Sequence, residues 1–204
     1  MQRRASSRTG RRSNRERTEV TRGDLIAAAR KLFTERSYAE TSTPEIATAA
    51  GVTRGALYHH FEDKQALFRA VVEHEAQAVA EEIERATPPA LSVRRALLAG
   101  ADAYLAAMAV PGRTRLLLLD GPAVLGRTEM DAIDLRHAGR TLREGLAAAM
   151  GEGAIAEGPV DALTGLLSAA FDRAALAIDS GASAADYRSA IAALVEGLLS
   201  ARKR

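Results

Sequence analysis

The sequence predicts an all-α protein of about nine helices, with a small N-terminal three-helix domain followed by a larger helical domain. Apolar residues recur at helical spacing in almost every segment, and none of the 204 residues belong to a stretch that alternates as a strand would. Proline and glycine separate the segments at 88–89, 111–112, 121–122 and 151–159. No internal repeat is evident.

The predicted helices follow one another with short connections. In the first helix the apolar residues fall on a single stripe, whereas the fourth carries two adjacent stripes and should be buried on both sides. The expected bounds are 21–37, two short helices within 43–64, then 63–86, 91–109, 113–120, 122–150, 159–180 and 184–202.

Composition and charge restrict the class of protein. The chain has no cysteine, which excludes disulfides and thiolate metal sites, and it has no apolar run near eighteen residues. We therefore expect a cytoplasmic protein that does not contact a membrane. The net charge of +2 is uneven, because residues 1–22 carry +6, which leaves −4 for residues 23–204.

The basic residues at the N-terminus form an arm rich in arginine, serine and glycine. Such a composition cannot offset the entropy of ordering, so residues 1–20 are expected to be disordered. The arm could lie along DNA phosphates or enter a minor groove. It could equally be a solvated tail or the product of a misassigned start codon.

Residues 43–64, TPEIATAAGVTRGALYHHFEDK, read as two short helices joined by a glycine turn. Thr43 can cap the first helix, and Pro44 has the backbone angle that a first turn requires. Gly51 is expected to have a positive φ, and Thr53 can cap the second helix. The side chains on the outer face of that helix are unusually small, which is typical of a recognition helix whose backbone approaches the major groove of DNA.

The run RGDLIAAARKLFTERSYAETSTPEIATAAGVTRGALYHHFEDKQALFRAVVE, residues 22–73, resembles the N-terminal DNA-binding domain of the TetR family of bacterial transcriptional regulators. The resemblance implies a dimeric regulator, most often a repressor, that binds a palindromic double-stranded operator and is released by a small-molecule effector. It implies a DNA-binding domain over residues 21–66 and a ligand-binding and dimerisation domain over 67–204. It also implies DNA contacts from Thr43, Thr53, Arg54, Gly55, Ala56, Tyr58, His59 and Lys64.

The side-chain chemistry divides these contacts into two groups. Arg54 can form a bidentate contact to guanine and Ala56 can meet a thymine methyl group. The donors suited to phosphate oxygens are those of Thr43, Tyr58, His59 and Lys64. With so few base-reading side chains, part of the specificity should come from DNA shape and half-site spacing. The alternatives are packing at the helix rim for Tyr58, packing for His60, and simple solvation for Lys64.

The resemblance also implies a ligand pocket in the larger domain. Polar or adaptable side chains among apolar ones are the candidates, although such residues more often form a solvated face or internal pairs. The predicted ligand-binding residues are Tyr104, Met108, Asp120, Met130, His137 and Asp172. Few aromatic residues are present in this domain, so stacking on a flat multi-ring ligand is not indicated.

The last two predicted helices have more apolar surface than one partner would cover. One stripe runs from Val160 to Ile178 and another through Tyr187, Ile191, Leu194 and Leu198, with Leu166, Leu176, Val195 and Leu199 outside them. A two-fold dimer through a four-helix bundle would use that surplus. The alternative is that the same residues form the core of a monomer.

Two other classes of function remain. An enzyme would need a catalytic pattern, but there is no nucleophile elbow, phosphate-binding glycine loop or HExxH motif. His59 and His60 project about 100° apart on a helix, which suits one metal poorly. We therefore expect neither catalysis nor a cofactor. A DNA-binding protein controlled by a partner protein, or by nothing, would share the N-terminal half and lack a usable cavity.

Overall fold

The computed structural model describes residues 14–200, which form ten α-helices and one π-helical segment without any strand in that range. This confirms the predicted all-α class. In chain order the helices are α1 Asn14–Arg36, α2 Thr43–Ala49, α3 Arg54–His60, α4 Lys64–Ala86, α5 Val93–Met108, the π-helical segment Arg115–Asp120, α6 Gly121–Leu125, α7 Arg127–Arg136, α8 Ala138–Gly151, α9 Val160–Asp179 and α10 Ala184–Ser200. None of these helices is long and apolar enough to cross a lipid bilayer.

Helix α1 begins seven residues before the predicted start, so the prediction that the disordered arm extends to residue 20 is wrong for residues 14–20. Adding a residue to an existing helix orders one residue and gains one hydrogen bond, whereas starting a new helix is costly. This polar stretch can therefore extend the buried helix that follows it. Arg22 also lies over the ring of Phe61, 5.1 Å from its centroid. The rest of the arm, residues 1–13, falls outside the described residues.

The single helix predicted over residues 122–150 is also wrong, because the chain breaks twice within it. Gly126 has a φ of +86°, a conformation that glycine adopts readily, and it separates α6 from α7. His137 has φ −121° and ψ −106°, which separates α7 from α8. Both α7 and α8 contact α4 as separate helices, which the apolar periodicity alone did not indicate.

The hydrophobic core is continuous from the N-terminal helices into the larger domain. Phe33 and Phe68 are fully buried and meet edge to face with their ring centroids 5.2 Å apart, and Tyr38 packs against both rings. Helix α4 contacts α1 as well as α5, α7 and α8. The two stripes predicted on α4 are Leu67, Val71 and Ala78, and Phe68, Val72, Val79 and Ile83. All of these side chains are buried except Ala78, which is half-buried. Helix α4 is therefore the central element of the fold.

In helix α10 the structure reverses part of the predicted stripe. Ile191, Val195 and Leu199, spaced four residues apart, face the core, whereas Leu194 is 52 % exposed. On α9, Leu166 is 72 % exposed. Apolar residues occur at helical spacing on both faces of α10, so the sequence does not indicate which face is buried. Packing against α5 and α9 decides it. The surface of these two helices thus retains large apolar side chains.

A buried ion-pair network centres on Glu75 of α4, whose side chain is 4 % exposed. Its carboxylate accepts from Arg30 Nε of α1 at 2.7 Å and from Arg113 Nε, just before the π-helical segment, at 2.9 Å. Arg113 also donates to Glu82 at 3.0 Å and to the carbonyl oxygen of Ala107 at 2.7 Å. This network joins the N-terminal helix, α4 and the connection after α5.

We expect Arg113→Met to lower the free energy of unfolding by about 3 kcal/mol, because it leaves a buried carboxylate short of one partner. The matched control is Arg140→Met, which removes a 42 % exposed guanidinium paired with Glu84 and should change stability by about 0–1 kcal/mol. Urea unfolding followed by circular dichroism, at one protein concentration, measures both. Equal effects for the two variants would contradict the role of Arg113.

The destabilisation caused by Arg113→Met should depend on pH, and the pKa of Glu75 sets the direction. Burial acts to raise the pKa of Glu75, yet the hydrogen bonds and charges of Arg30 and Arg113 hold this pKa below its ordinary value. A lowered carboxylate pKa contributes stability above the ordinary value, near about 4, and that stability is lost as the pH falls through the lowered pKa. The destabilisation caused by Arg113→Met should therefore shrink as the pH is taken from 7 towards 3.

Candidate nucleic-acid interface and interior cavities

Helices α2 and α3 form a compact helix-turn-helix. The residue that caps α2 is Ser42 rather than Thr43, and the Glu45 carboxylate accepts from the Ser42 backbone N–H at 2.9 Å. The prediction that Thr43 is the cap is wrong because Thr43 lies inside the helix. Gly51 has a φ of +69° in the turn, as predicted. Thr53 caps α3 by accepting from the Ala56 backbone N–H at 3.1 Å, also as predicted.

Thr43 and Tyr58 connect the two helices. Thr43 is 9 % exposed, and its hydroxyl lies 3.0 Å from the Tyr58 hydroxyl, whereas the Tyr58 side chain is 41 % exposed at the surface. The guanidinium of Arg54 lies 5.5 Å from the centre of the Tyr58 ring. The hydrogen bonds to Thr43 and then to Arg54 are the main causes that lower the pKa of Tyr58. The phenol is therefore held in one position beside Arg54.

The outward face of α3 is open. Arg54, Gly55 and His59 are exposed and Ala56 is half-buried, while Leu57 is fully buried on the opposite face. A Cβ atom placed on Gly55 would meet only the Thr53 hydroxyl, at 3.9 Å. Apart from α3 itself and the neighbours of Gly55 in the chain, no other described atom lies within 4 Å of that position, so a double helix can approach it closely.

Lys64, the first residue of α4, contacts the protein itself. Its ammonium donates to the carbonyl oxygens of Tyr38 at 2.9 Å and Thr41 at 3.0 Å, and it lies 4.1 Å from the centre of the Tyr38 ring. These bonds tie the connection between α1 and α2 to the start of α4. Asp63 caps α4 by accepting from the Ala66 backbone N–H at 2.7 Å.

His59 and His60 lie edge to face with their ring centroids 5.6 Å apart. Neither belongs to a group of three or more histidine, aspartate or glutamate side chains suited to a metal ion, and no such group occurs within residues 14–200. His60 is half-buried and His59 is exposed. Of the two, His59 is the one on the open face of α3.

The larger domain contains two neighbouring cavities. The larger has a volume of about 870 Å³ and lies between α4, α5, α7 and α9, with Ala76 and Val79 as its α4 wall. The smaller, of about 410 Å³, lies between α4, α5, α8 and α9 and is mostly apolar. Tyr104, Ala138 and Ser168 line both, so they form the partition between the two spaces. Volumes of this size are typical of small-molecule sites.

Four of the six predicted ligand residues line the larger cavity, namely Tyr104, Met108, Met130 and Asp172. Asp120 and His137 line neither space. His137 Nε2 lies 2.8 Å from a carboxylate oxygen of Glu73, and Arg136 pairs with the same carboxylate. Asp120 Oδ2 is buried 3.3 Å from Arg115 Nε in a geometry that gives it no hydrogen bond. The structure thus brings four candidates together and keeps two apart.

Among the polar residues at the larger cavity that the sequence reasoning missed are Asp134 and Ser168. Ser168 Oγ donates to Asp134 at 3.0 Å, beside the Tyr104 hydroxyl that donates to Asp172 at 2.5 Å. Asp134 follows the candidate Met130 by four residues and so shares its helix face, a signal that was available in the sequence.

Both carboxylates titrate abnormally. Burial is the main cause that raises the pKa of Asp172 to about 6, against the lowering effect of the Tyr104 hydrogen bond. Burial likewise raises the pKa of Asp134, against the hydrogen bond from Ser168. Burial and the nearby Asp172 charge raise the pKa of Tyr104, so its phenol remains a neutral donor.

Comparisons with known proteins agree with this geometry. Residues 25–71 match the family described as bacterial regulatory proteins, tetR family. Residues 94–201, just over half of the chain, match the family described as tetracyclin repressor-like, C-terminal domain. The two matches cover the helix-turn-helix with the start of α4, and the helices from α5 to α10.

Individual relatives give the same assignment. The HTH-type transcriptional regulator TtgR of Pseudomonas putida is 38 % identical over 92 residues, covering 43 % of this chain and 44 % of that protein. The HTH-type transcriptional repressor BepR of Brucella suis biovar 1 is 46 % identical over 52 residues, covering 26 % of this chain and 25 % of that protein. The chain thus matches less than half the length of these curated relatives.

A solved structure matches over nearly the whole length. The crystal structure of a TetR-family transcriptional regulator from Pectobacterium atrosepticum is 33 % identical, covers 94 % of this chain and 100 % of its own, and has a TM-score of 0.73. Together with the two domain matches, this identifies the chain as a member of the TetR family of DNA-binding, helix-turn-helix transcriptional regulators.

Proposed function

We propose that the protein is a homodimeric repressor that binds a palindromic operator and is released by a small molecule held in the larger cavity. The observation that carries the proposal is the position of α4. Its first residue, Lys64, binds the loop beside the helix-turn-helix, and Ala76 and Val79 of the same helix line the larger cavity. A ligand that displaces this wall moves the helix on which the DNA-reading unit is seated.

The proposed DNA surface is the open face of α3 with the residues around it. Arg54 reads a base, because its guanidinium is exposed near the N-terminus of α3. Thr53 and the backbone at Gly55 approach the groove, Ala56 meets a thymine methyl group, and His59 donates to phosphate. Tyr58 donates its hydroxyl to a phosphate while Thr43 holds the ring in place. Lys64 contributes mainly through the loop that it fixes.

A small-molecule effector is favoured over control by a partner protein. A regulator without a ligand has no need of an interior space, and here a cavity of about 870 Å³ lies against α4.

The division of labour that we propose is a DNA-binding domain over residues 21–66 and a ligand-binding and dimerisation domain over 67–204, with α4 belonging to both. The basic residues that precede α1 in the sequence, 1–13, are proposed to add phosphate contacts. Repression, rather than activation, is proposed from the name of BepR.

The proposed dimer uses the outer surface of α9 and α10. Leu166 and Leu194 are 72 % and 52 % exposed there, although leucine side chains of this size usually lie inside. A two-fold axis along this pair would bury both leucines in a four-helix bundle. It would also place two α3 helices for two half-sites about one turn of DNA apart.

The experiment that tests operator binding is selection of bound sequences from random double-stranded DNA. We expect an inverted repeat for the native protein and a relaxed preference at one base pair per half-site for Arg54→Ala, at a cost of about 1–3 kcal/mol on the preferred sequence. The control Tyr58→Phe should lower affinity for all sequences alike and leave the preference unchanged. A uniform loss for Arg54→Ala would make Arg54 a phosphate contact instead.

We expect Lys64→Met to lower the free energy of unfolding by about 1–2 kcal/mol in the absence of DNA, because its ammonium donates to two carbonyl oxygens. Arg54→Ala serves as the comparison and should stay within about 0.5 kcal/mol of the native protein. Urea unfolding at a fixed concentration measures both. A Lys64→Met variant of native stability, with a salt slope of operator binding shallower by about one, would instead make Lys64 a phosphate contact.

We expect the double variant Leu166→Glu, Leu194→Glu to sediment as a monomer at micromolar concentration, because association would bury charges without partners. The matched control is Leu119→Glu, whose leucine is also 52 % exposed but lies in the π-helical segment. Sedimentation velocity decides the question. A double variant that sediments as a dimer, like the control, would exclude this surface as the interface.

A further inference from the structure

The larger cavity has apolar walls and a few hydroxyl groups, each of which already donates a hydrogen bond within the protein. Its walls include Met108, Leu118 and Met130. The Tyr104 hydroxyl donates to Asp172, the Ser168 hydroxyl to Asp134, and the Thr164 hydroxyl to the backbone oxygen of Val160. Each of these hydroxyl protons is already used. A ligand therefore finds few free donors inside this cavity and has to supply its own.

The two interior carboxylates, by contrast, have capacity to spare. An ionised carboxylate can accept about four hydrogen bonds. Asp172 accepts from one side chain, Tyr104, while Asp134 accepts from Ser168 and from the backbone N–H of Gly139. Neither carboxylate forms an ion pair with a lysine, arginine or histidine side chain within residues 16–200. The arginines of the lining lie at the mouth, where Arg127 is exposed and Arg143 pairs with Asp161 at 2.7 Å. Two negative groups thus face an apolar space without an ion-pair partner among these residues.

We propose that the larger cavity binds an organic cation, an amine in its protonated form on an apolar body, whose N–H groups donate to Asp172 and Asp134. The proposal rests on the proposed function, since it names the chemical class of the effector. The ammonium supplies the donors that the cavity lacks and a directly paired positive charge, which neither carboxylate has among the described residues. The apolar body fills the space between the methionine and leucine side chains.

Other classes of ligand fit this space less well. An anion would meet Asp134 and Asp172 at close range, where like charges repel strongly in a low dielectric. A metal ion would need more ligands, and no group of three suitable side chains occurs within the described residues. A neutral alcohol could donate one hydrogen bond but would leave the carboxylate charge unbalanced.

The test compares three molecules with one apolar chain and different head groups: octylamine, octanol and octanoate. Isothermal titration calorimetry at pH 7.5, without DNA, measures their affinities for the full-length protein. We expect octylamine to bind at least about ten-fold more tightly than octanol, the factor that one charge-assisted hydrogen bond provides. Octanoate should bind most weakly. Octylamine binding no tighter than octanol, or no binding of either, overturns the proposal.

Two variants locate the charge. Asp172→Asn keeps an oxygen that accepts from Tyr104 but removes the charge, and it should reduce the preference for octylamine over octanol to about three-fold or less. The matched control is Asp179→Asn on the same helix, an exposed residue outside the cavity, which should retain the full preference. If Asp179→Asn lost the preference as well, binding would be due to the general acidity of the surface and the proposal would fail.

A measurement on the native protein covers the case in which Asp172→Asn does not fold. The charged groups that face Asp172 are Asp131, Asp134 and Arg127 of α7, with the phenol of Tyr104 on α5. Octylamine stays protonated from pH 5 to 7.5, because alkylamines titrate near pH 10. Its affinity should fall several-fold as the pH is lowered through about 6, where Asp172 becomes neutral. Constant affinity over this range would contradict the proposal.

Operator release is measured separately, so that the two proposals fail in different ways. Octylamine should weaken operator binding, and operator should weaken octylamine binding by the same factor. If octanol released the operator as effectively as octylamine, control by an effector would be supported, but the specificity for an organic cation would be contradicted. Tight, Asp172-dependent binding of octylamine without any release would keep the cation and overturn effector control.

Discussion

Glu75 occupies the position on which the arrangement of the two domains depends. It is a buried carboxylate that receives Arg30 from the N-terminal helix and Arg113 from the connection after α5. Burying three charges costs desolvation energy, and a well-packed apolar cluster of the same size could be equally stable. What the ions add is a directional requirement, because Arg30 donates to both carboxylate oxygens of Glu75 and Arg113 donates to one of them. Helix α1 therefore cannot slide along α4 without breaking hydrogen bonds that have no replacement inside the protein.

The larger cavity also contains a buried carboxylate, but there the effect of burial on the pKa outweighs the effect of the hydrogen bonds. Glu75 has two guanidinium partners and a lowered pKa, whereas Asp172 has a tyrosine hydroxyl as its donor and a pKa raised to about 6. A rise of about two pKa units corresponds to roughly 3 kcal/mol of unfavourable charge burial near neutral pH. A protein that only needed to fold would place an apolar or amide side chain there. The uncompensated carboxylate is thus a property of the cavity that a ligand can relieve and that packing alone does not explain.

The parts of the fold that the sequence predicted were those governed by local chemistry. The turn at Gly51, the cap at Thr53 and the buried stripes of α4 each follow from neighbouring residues, and each is present. One error arose where distant contacts decide, because the face of α10 that turns inward depends on packing against α5 and α9. The break at His137 was not indicated by the apolar periodicity, and the early start of α1 extends a helix that already exists. The cavity residue Asp134 shares a face with Met130, so periodicity could have found it, whereas its pairing with Ser168 on another helix could not be foreseen.

The Glu75 network also lay beyond sequence prediction, and it offers a route by which the proposed effector would act on the DNA-reading unit. Its partners lie 45 and 38 residues away in the chain, beyond the reach of any local pattern. Glu75 and the cavity residue Ala76 are consecutive, so their side chains leave α4 about 100° apart on the same turn. One face of that turn holds α1 through ions, and the next face forms the wall of the cavity. In the proposed mechanism, a ligand that displaces Ala76 also displaces the turn that carries Glu75, because close-packed helices shift between discrete arrangements instead of deforming smoothly. The ion pair of Glu75 with Arg30 would pass that displacement to α1, against which the helix-turn-helix packs.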